Sequence, residues 1–103
     1  MMDTNTLLTD IKARFNHNSA KAYLTEKYNA KLIVANQGGL WRADLELITS
    51  LLLHKHKSTM ILIDTFGNPV EVNREQLLIV LDNVYDTVMK EWHKEWQELE
   101  SKR

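Results

Sequence analysis

The sequence predicts an α+β fold, in which an N-terminal helix is followed by two β-hairpin-helix (ββα) units and the second unit ends in a long amphipathic helix. Two short apolar stretches each lead into a glycine-containing turn, at residues 36–39 and 65–68, and such turns are typical of β-hairpins. A residue that commonly caps helices follows each hairpin, Asp44 after the first and Asn73 after the second. Helical apolar spacing then runs through residues 73–103, the last third of the chain.

The first element is predicted to be a helix that Thr4 or Thr6 can cap. Its apolar positions follow helical spacing, and they are Leu7, Leu8, Ile11 and Phe15. The polar residues 16–19 interrupt this pattern, because asparagine and serine side chains compete for backbone hydrogen bonds. We therefore expect helix to Tyr28, either as one bent helix or as two pieces with the second starting at Ser19.

Two β-hairpins frame a short helix. The first is predicted from the apolar residues 31–35 and the return at 40–42, and the helix after Asp44 is so rich in leucine that we expect it to be covered on more than one side. In the second hairpin, residues 60–63 are all apolar and predict a buried strand. Pro69 belongs at the first residue of the returning strand.

The last helix begins with a capping-box spacing, Asn73 followed three residues later by Gln76. Residues 77–81 are apolar on all sides, so we expect cover on more than one side there. Beyond them a single apolar stripe continues: Leu81, Tyr85, Val88, Trp92, Trp96 and Leu99. A helix of this length spans about 40 Å, whereas a compact domain of this size has a radius of gyration of about 13 Å. We therefore expect its far end to overhang the body.

The two hairpin-helix units can be laid over each other with an offset of 29 residues. Gly38 then falls on Gly67, Asp44 falls on Asn73, and residues 32–34 fall on residues 61–63. Either the units arose by duplication, or any hairpin that leads into a helix follows the same pattern of turn, cap and core.

Composition narrows the classes of function. The chain has 103 residues, of which 44% are hydrophobic, so we expect a single domain over residues 1–103. A formal net charge of −1 gives no electrostatic footprint for nucleic acid or an anionic membrane. Cysteine is absent from the sequence, which excludes disulfides and thiolate catalysis within the chain. The N-terminal residues lack the pattern of a signal peptide, and apolar runs are too short to predict a membrane span.

Candidate chemical groups are few. His54 and His56 could begin a metal site, but carboxylates at chelating spacing do not accompany them. The Ser19/His17 and Ser50/His54 neighbours lack an oxyanion motif and an orienting acid. We therefore expect no catalytic, cofactor-binding or metal-binding residues, no cofactor and no small-molecule substrate.

Exposed aromatic residues instead predict an interface. Tryptophan is enriched at the centres of protein interfaces, and Trp92 and Trp96 lie one turn apart where the long helix leaves its core. The predicted interface residues are Trp92, Trp96, Leu99, Trp41 and Phe66. The alternative is that the N-terminal helix folds back and buries the two tryptophans of the long helix as ordinary core.

Three segments carry a resemblance to known proteins. They are residues 38–49 (GGLWRADLELIT), 64–72 (DTFGNPVEV) and 92–99 (WHKEWQEL). Together they resemble small structural or assembly proteins of tailed bacteriophages, chiefly of the contractile-tailed, T4-like kind. The strand-turn-strand-helix end is also similar to a domain of unknown function appended to phage tail-fibre proteins. The resemblance covers residues 19–103.

The resemblance implies a virion component of the tail, baseplate or neck, or a factor that helps to assemble one in the host cytoplasm. Its partners are expected to be other phage structural subunits or further copies of itself, without nucleic acid or membrane. The alternative function is a small phage regulator that binds and inhibits a host protein. Mass spectrometry of purified particles separates the two, because only the first function places the chain in the particle.

Overall fold

The computed structural model describes the backbone of residues 4–102 and the side chains of residues 9, 12, 14 and 16–102. Its elements are α1 (Thr4–Lys31), β1 (Ile33–Asn36), β2 (Gly39–Arg42), α2 (Leu45–Leu53), β3 (Thr59–Ile63), β4 (Pro69–Asn73) and α3 (Arg74–Ser101). The predicted α+β fold, a helix followed by two hairpin-helix units, is confirmed. The side chains of the predicted apolar positions Leu7, Leu8, Ile11 and Phe15 lie outside the described residues.

The first hairpin closes with the tightest kind of turn. β1 pairs antiparallel with β2, and Asn36 lies opposite Gly39, which leaves a two-residue loop. Gln37 and Gly38 both have positive φ, at 52° and 80°. This is the type I′ turn, whose twist matches that of the two strands.

The second hairpin closes with a loop that is one residue longer. β3 pairs antiparallel with β4, and the amide of Asp64 donates to the carbonyl of Asn68 at 2.9 Å. The amide of Gly67 donates to the carbonyl of Asp64 at 2.9 Å, and Gly67 has a φ of +82°. A type I turn followed by a left-handed glycine is the usual three-residue hairpin loop.

The extra loop residue changes how the two units correspond. Asp44 and Asn73, 29 residues apart, both cap their helices by accepting a backbone N–H three residues on. In the first strands, however, the alternation of exposed and covered side chains matches Ile33 with Ile61, an offset of 28. The predicted correspondence of residues 32–34 with 61–63 is therefore wrong by one position.

The core lies where both hairpins meet the helices. Its most completely buried large side chains are Trp41, Tyr28, Leu51, Leu77, Leu81 and Val72. The indole of Trp41 is 1% exposed and donates its Nε1–H to the carbonyl of Asn36 at 2.9 Å. A Cβ on Gly39 would lie 2.5 Å from Cζ2 of Trp41, so the absence of a side chain there lets the indole fold back over its own strand.

The leucine-rich helix α2 is covered less than predicted. It buries Ile48 and Leu51, but Leu45 is 57% exposed and Leu53 is 72% exposed. The expectation that α2 is covered on more than one side is therefore wrong, because the helix packs along one face. At the start of α3 the cover is broader, as predicted, since this helix packs against α1, α2 and β4, and Ile79 is the one exposed residue of positions 77–81.

The N-terminal helix is continuous from Thr4 to Lys31. The predicted division into two helices at residues 16–19 is absent. Asn16, Asn18 and Ser19 are exposed to water, and Nε2 of His17 lies 3.4 Å from a carboxylate oxygen of Glu100. Polar side chains that hydrogen-bond to water or to another side chain do not compete for the backbone hydrogen bonds of the helix.

This first helix runs antiparallel to the second half of α3. Lys31 lies near Glu91, Lys27 near Glu95 and His17 near Glu100, so residue numbers fall along α1 as they rise along α3. We call this helix pair the arm. The N-terminal helix therefore folds back over the long helix, as the alternative expected, but it does not bury both tryptophans, because Trp96 is 39% exposed.

The arm makes the chain elongated. The structure measures 67 × 24 × 19 Å with a radius of gyration of 19.7 Å, against about 13 Å for a compact chain of this length. The far half of α3 leaves the body, as predicted, but α1 accompanies it and reaches further. Because α3 ends at Ser101, close to His17, residues 4–16 of α1 extend about 20 Å beyond it at 1.5 Å per residue.

Replacing Gly67 by valine tests the turn of the second hairpin. A β-branched residue resists positive φ, so we expect Gly67→Val to lower the free energy of unfolding by about 1–3 kcal/mol. Nothing lies within 4 Å of a Cβ at this position, so the cost comes from the backbone alone. Gly67→Asn is the control, because asparagine tolerates left-handed φ. Equal thermal melts for the valine and asparagine variants would contradict this turn geometry.

Candidate interaction surface

The outward side of the second hairpin exposes apolar side chains. Met60 and Leu62 point towards the core, whereas Ile61 is 71% exposed and Ile63 is 65% exposed. The prediction that residues 60–63 form a buried strand is therefore wrong. The hairpin has only two strands and is covered on one face, so every second residue of β3 faces solvent.

Further exposed apolar side chains lie on β4 and in the loop, beside the exposed Glu71 that pairs with Ile61. Pro69 lies opposite Ile63, and Phe66 in the loop is 74% exposed. We call Ile61, Ile63, Phe66 and Pro69 the outer face. These side chains expose apolar area on the order of 400 Å², and a patch of this size is often functional in a monomeric protein.

Asp64 holds this loop in shape with its carboxylate. Its Oδ1 accepts the amides of Phe66 and Asn68, both at 3.0 Å, and its Oδ2 accepts the amide of Leu40 at 3.2 Å. The hydrogen bond from the amide of Asn68 is the main cause that lowers the pKa of Asp64, with further lowering by Leu40 and Phe66. Burial of the carboxylate acts in the opposite direction. The exposed ring of Phe66 therefore stands on a fixed backbone.

Further hydrogen bonds join the two hairpins. The amide of Thr65 donates to the carbonyl of Leu40 at 2.9 Å. The side chain of Gln37 accepts the amide of Asn73 at 2.7 Å and donates to its carbonyl at 3.3 Å, as a neighbouring strand would. In the predicted capping box, Asn73 accepts the amide of Gln76, but Gln37 takes the place of Gln76 on the amide of Asn73.

The predicted interface residues of the long helix lie in the arm. The ring of Trp92 stacks on that of Tyr28, with centroids 5.8 Å apart, and Leu99 packs against the core cluster. Trp96 is 39% exposed and stacks on His93. α1 therefore covers part of this stripe, and Trp96 is the tryptophan that the arm leaves most accessible.

A carboxylate ties the two helices of the arm together. Glu95 accepts hydrogen bonds from the ammonium of Lys27, at 2.7 Å, and from the hydroxyl of Tyr28. The Lys27 hydrogen bond, followed by that of Tyr28, lowers the pKa of Glu95. The same contacts raise the pKa values of Lys27 and Tyr28. These groups are satisfied within the chain, so they act as a structural cluster.

The two remaining predicted interface residues, Phe66 and Trp41, differ in exposure. Phe66 stands at the tip of the second hairpin and is exposed. Trp41 lies in the core, where it is 1% exposed, and is therefore inaccessible to a partner of the folded chain. The sequence does not reveal this burial, because the indole approaches Gly39 only in the folded hairpin.

The polar groups considered for chemistry do not converge. Nδ1 of His54 lies 2.7 Å from the carbonyl of Ser50, and the rings of His54 and His56 are 6.1 Å apart. Within the described residues, groups of three or more residues that could hold a metal ion are absent. None of the helices, over their described residues, is long and apolar enough to cross a membrane.

Sequence reasoning missed the two isoleucines of the outer face and the carboxylate of Asp64. An unbroken apolar run such as residues 60–63 contains no period of two, so it does not reveal which side is exposed. The returning strand does alternate, since Pro69 and Glu71 flank Val70, and this signal could have identified the outward side. Aspartate three residues before glycine likewise fits a type I turn.

Replacing Trp92 and Trp96 separately tests which of the two side chains is packed within the arm. Full burial makes tryptophan-to-alanine changes cost about 3–5 kcal/mol. Trp92 is half-buried against Tyr28, so we expect Trp92→Ala to cost about 2 kcal/mol. Trp96 is 39% exposed and stacks on His93, so Trp96→Ala is expected to cost less, about 1 kcal/mol. Chemical denaturation measures both, and equal losses would contradict the described cover of the arm.

The pH dependence of stability tests the role of Asp64. Because its folded-state pKa lies below the ordinary value of 3.8, its ionised form stabilises the fold above that pH, and the contribution is lost as the pH falls through the folded-state value. The melting temperature should therefore be higher for the native chain than for Asp64→Asn at neutral pH. The difference should shrink in acid below the ordinary carboxyl range.

Thermal melts across this pH range measure the effect. Asp82→Asn is the control, because it removes an exposed carboxylate from α3. A constant difference between the native chain and Asp64→Asn at all pH values would contradict the assignment.

Known proteins give no guide to this surface, so its function is inferred from its own residues. No protein-family model, no curated protein and no solved structure matches this chain.

Proposed function

We propose that this chain is a structural or assembly subunit of a bacteriophage particle, in the tail, baseplate or neck, and that it acts by protein–protein contact rather than by catalysis. The observation that carries the proposal is the outer face. It combines Ile61 and Ile63 on the outward side of a hairpin with Phe66 in the hairpin loop, each at least 65% exposed, and Asp64 fixes that loop. Apolar side chains held in a fixed arrangement are what a docking surface requires.

The shape of the chain supports binding as its mode of action. The accessible surface is 7553 Å², whereas a compact monomer of 12.1 kDa exposes about 6000 Å². The excess comes from the arm and from hairpins covered on one face. Such a chain gains stability when neighbouring subunits cover it, since burial of apolar surface is the main favourable term in association.

The assignment to a phage particle is supported by the resemblance of residues 38–49, 64–72 and 92–99 to small phage structural proteins. Two of these segments contain structural features of the chain, namely the Asp44 cap of α2 and the Asp64 loop. The alternative is a phage regulator that binds a host protein, and it would use the same outer face. The two functions therefore differ in where the chain is found and not in how it binds.

Mass spectrometry of particles purified from infected cells tests the proposal. We expect the native chain at fixed stoichiometry in the particle or in an assembly intermediate. Ile63→Lys places a charge on the outer face and should reduce incorporation at least tenfold, which corresponds to about 1.4 kcal/mol.

Ile79→Lys is the matched control, because it makes the same change at an isoleucine that is 56% exposed on α3. It should be incorporated like the native chain. A chain that is abundant in infected cells, absent from particles and intermediates, and bound to a host protein would contradict the proposal and favour the regulator.

A further inference from the structure

The free edge of β3 presents backbone hydrogen-bonding groups to solvent. In an antiparallel pair, residues that bond to the partner strand alternate with residues whose N–H and C=O point away. The bonds from Asp64 to Asn68 and from Arg74 to Ser58 mark bonded pairs at the two ends of the hairpin. By alternation, Met60 and Leu62 bond to β4, while Thr59, Ile61 and Ile63 direct their N–H and C=O groups to the open edge.

This edge lacks the features by which proteins prevent strand addition. Natural edge strands are commonly protected by charged residues, proline or bulges. β4 carries Pro69 and Glu71, but β3, with the sequence TMILI, contains neither a charge nor a proline. Within residues 4–102, β4 is the one strand that pairs with β3.

We propose that a second copy of the chain docks on this edge, with the two β3 strands antiparallel about a two-fold axis at Ile61. In this register Ile61 lies opposite Ile61 of the second copy, and Thr59 lies opposite Ile63. Thr59, Ile61 and Ile63, whose backbone groups point to the open edge, then pair with the same three residues of the second copy. Each copy therefore donates three backbone hydrogen bonds and accepts three. The strand is self-complementary, as an isologous interface requires.

The charges at the two ends of β3 favour a second copy in this orientation. Lys55 and Lys57 precede the strand, and both are exposed. Asp64 follows the strand, and an open groove of about 320 Å³ there is lined by Glu46 and by Asp44, whose carboxylate lies 3.7 Å from the guanidinium of Arg42. Antiparallel pairing brings the basic end of each copy to the acidic end of the other. Parallel pairing would place like charges together and is disfavoured.

The dimer also completes the sheet. A two-stranded hairpin is marginal by itself, whereas the strands β4, β3 and their two symmetry mates form a four-stranded sheet. The isoleucines of the outer face then become one continuous apolar surface shared by the two copies. This inference rests on the proposed function in one respect, namely that the hairpin acts through protein–protein contact, and it names the first partner.

Sedimentation of the purified full chain over a range of concentrations tests the dimer. We expect the native chain to dimerise reversibly and Ile61→Lys to weaken the dimer at least tenfold, because a charge on an edge strand opposes pairing. Ile79→Lys is the matched control and should dimerise like the native chain. Circular dichroism establishes that both variants are folded.

Charge exchange tests the orientation. Lys57→Glu and Glu46→Lys should each weaken the dimer, and the double variant should recover most of the loss, because the pair is restored between copies. Both side chains are exposed, so neither change is expected to unfold the chain. Failure of the double variant to recover would overturn the antiparallel register.

Amide hydrogen exchange of the native chain tests the same register without a variant. The amides of Thr59, Ile61 and Ile63 should exchange more slowly as concentration rises, while those of Met60 and Leu62 are protected throughout. Protection of these three amides that does not change with concentration, or a chain that stays monomeric at its solubility limit, would overturn the inference. A dimer unaffected by Ile61→Lys and lost on removal of residues 1–16 would assign the contact to the arm instead. A monomeric chain that is still incorporated into particles would refute this inference and leave the proposed function standing.

Discussion

The structure depends on one carboxylate that joins its two hairpins. Asp64 accepts two amides of its own loop and one amide of β2, so a single side chain fixes both the shape of the second turn and the position of the first hairpin. A buried carboxylate is stable only when hydrogen bonds replace its hydration, and three backbone donors do so here. Because this loop carries Phe66 and ends β3, the geometry of the outer face and of the open edge follows from the same interaction.

The arm depends on complementary charge. α1 carries five basic and two acidic residues, whereas α3 carries three basic and seven acidic residues. An antiparallel arrangement places Lys27 at Glu95 and Lys31 near Glu91, while the stacked rings of Tyr28 and Trp92 supply the apolar contact. The charges favour this register, whereas apolar packing that includes the aromatic contact stabilises it, since exposed ion pairs contribute little. α1 lies along α3 and leaves the outer face of the second hairpin exposed.

Local features of the fold could be predicted from the sequence, and features that depend on the number of layers could not. The caps Asp44 and Asn73 and the turns at Gly38 and Gly67 follow from residue preferences over four or five positions, and each lies where predicted. The prediction that α2 is covered on more than one side and that β3 is buried was wrong, because an apolar run does not reveal whether one face or two will be covered. Trp41 was assigned to an interface for the same reason: its cover comes from Gly39 and from distant elements.

The errors share a physical origin that bears on function. Each overestimated how much apolar surface a chain of 103 residues can cover by itself. With α1 extended along the arm, the body retains α2, the two hairpins and the first half of α3, which is enough for one core but not for a layer outside β3. Ile61 and Ile63 are apolar but remain exposed in the fold. They are therefore not needed for the stability of a single copy. An apolar strand with an unpaired edge is the kind of element that adds a further strand, and the proposed dimer rests on this property of β3.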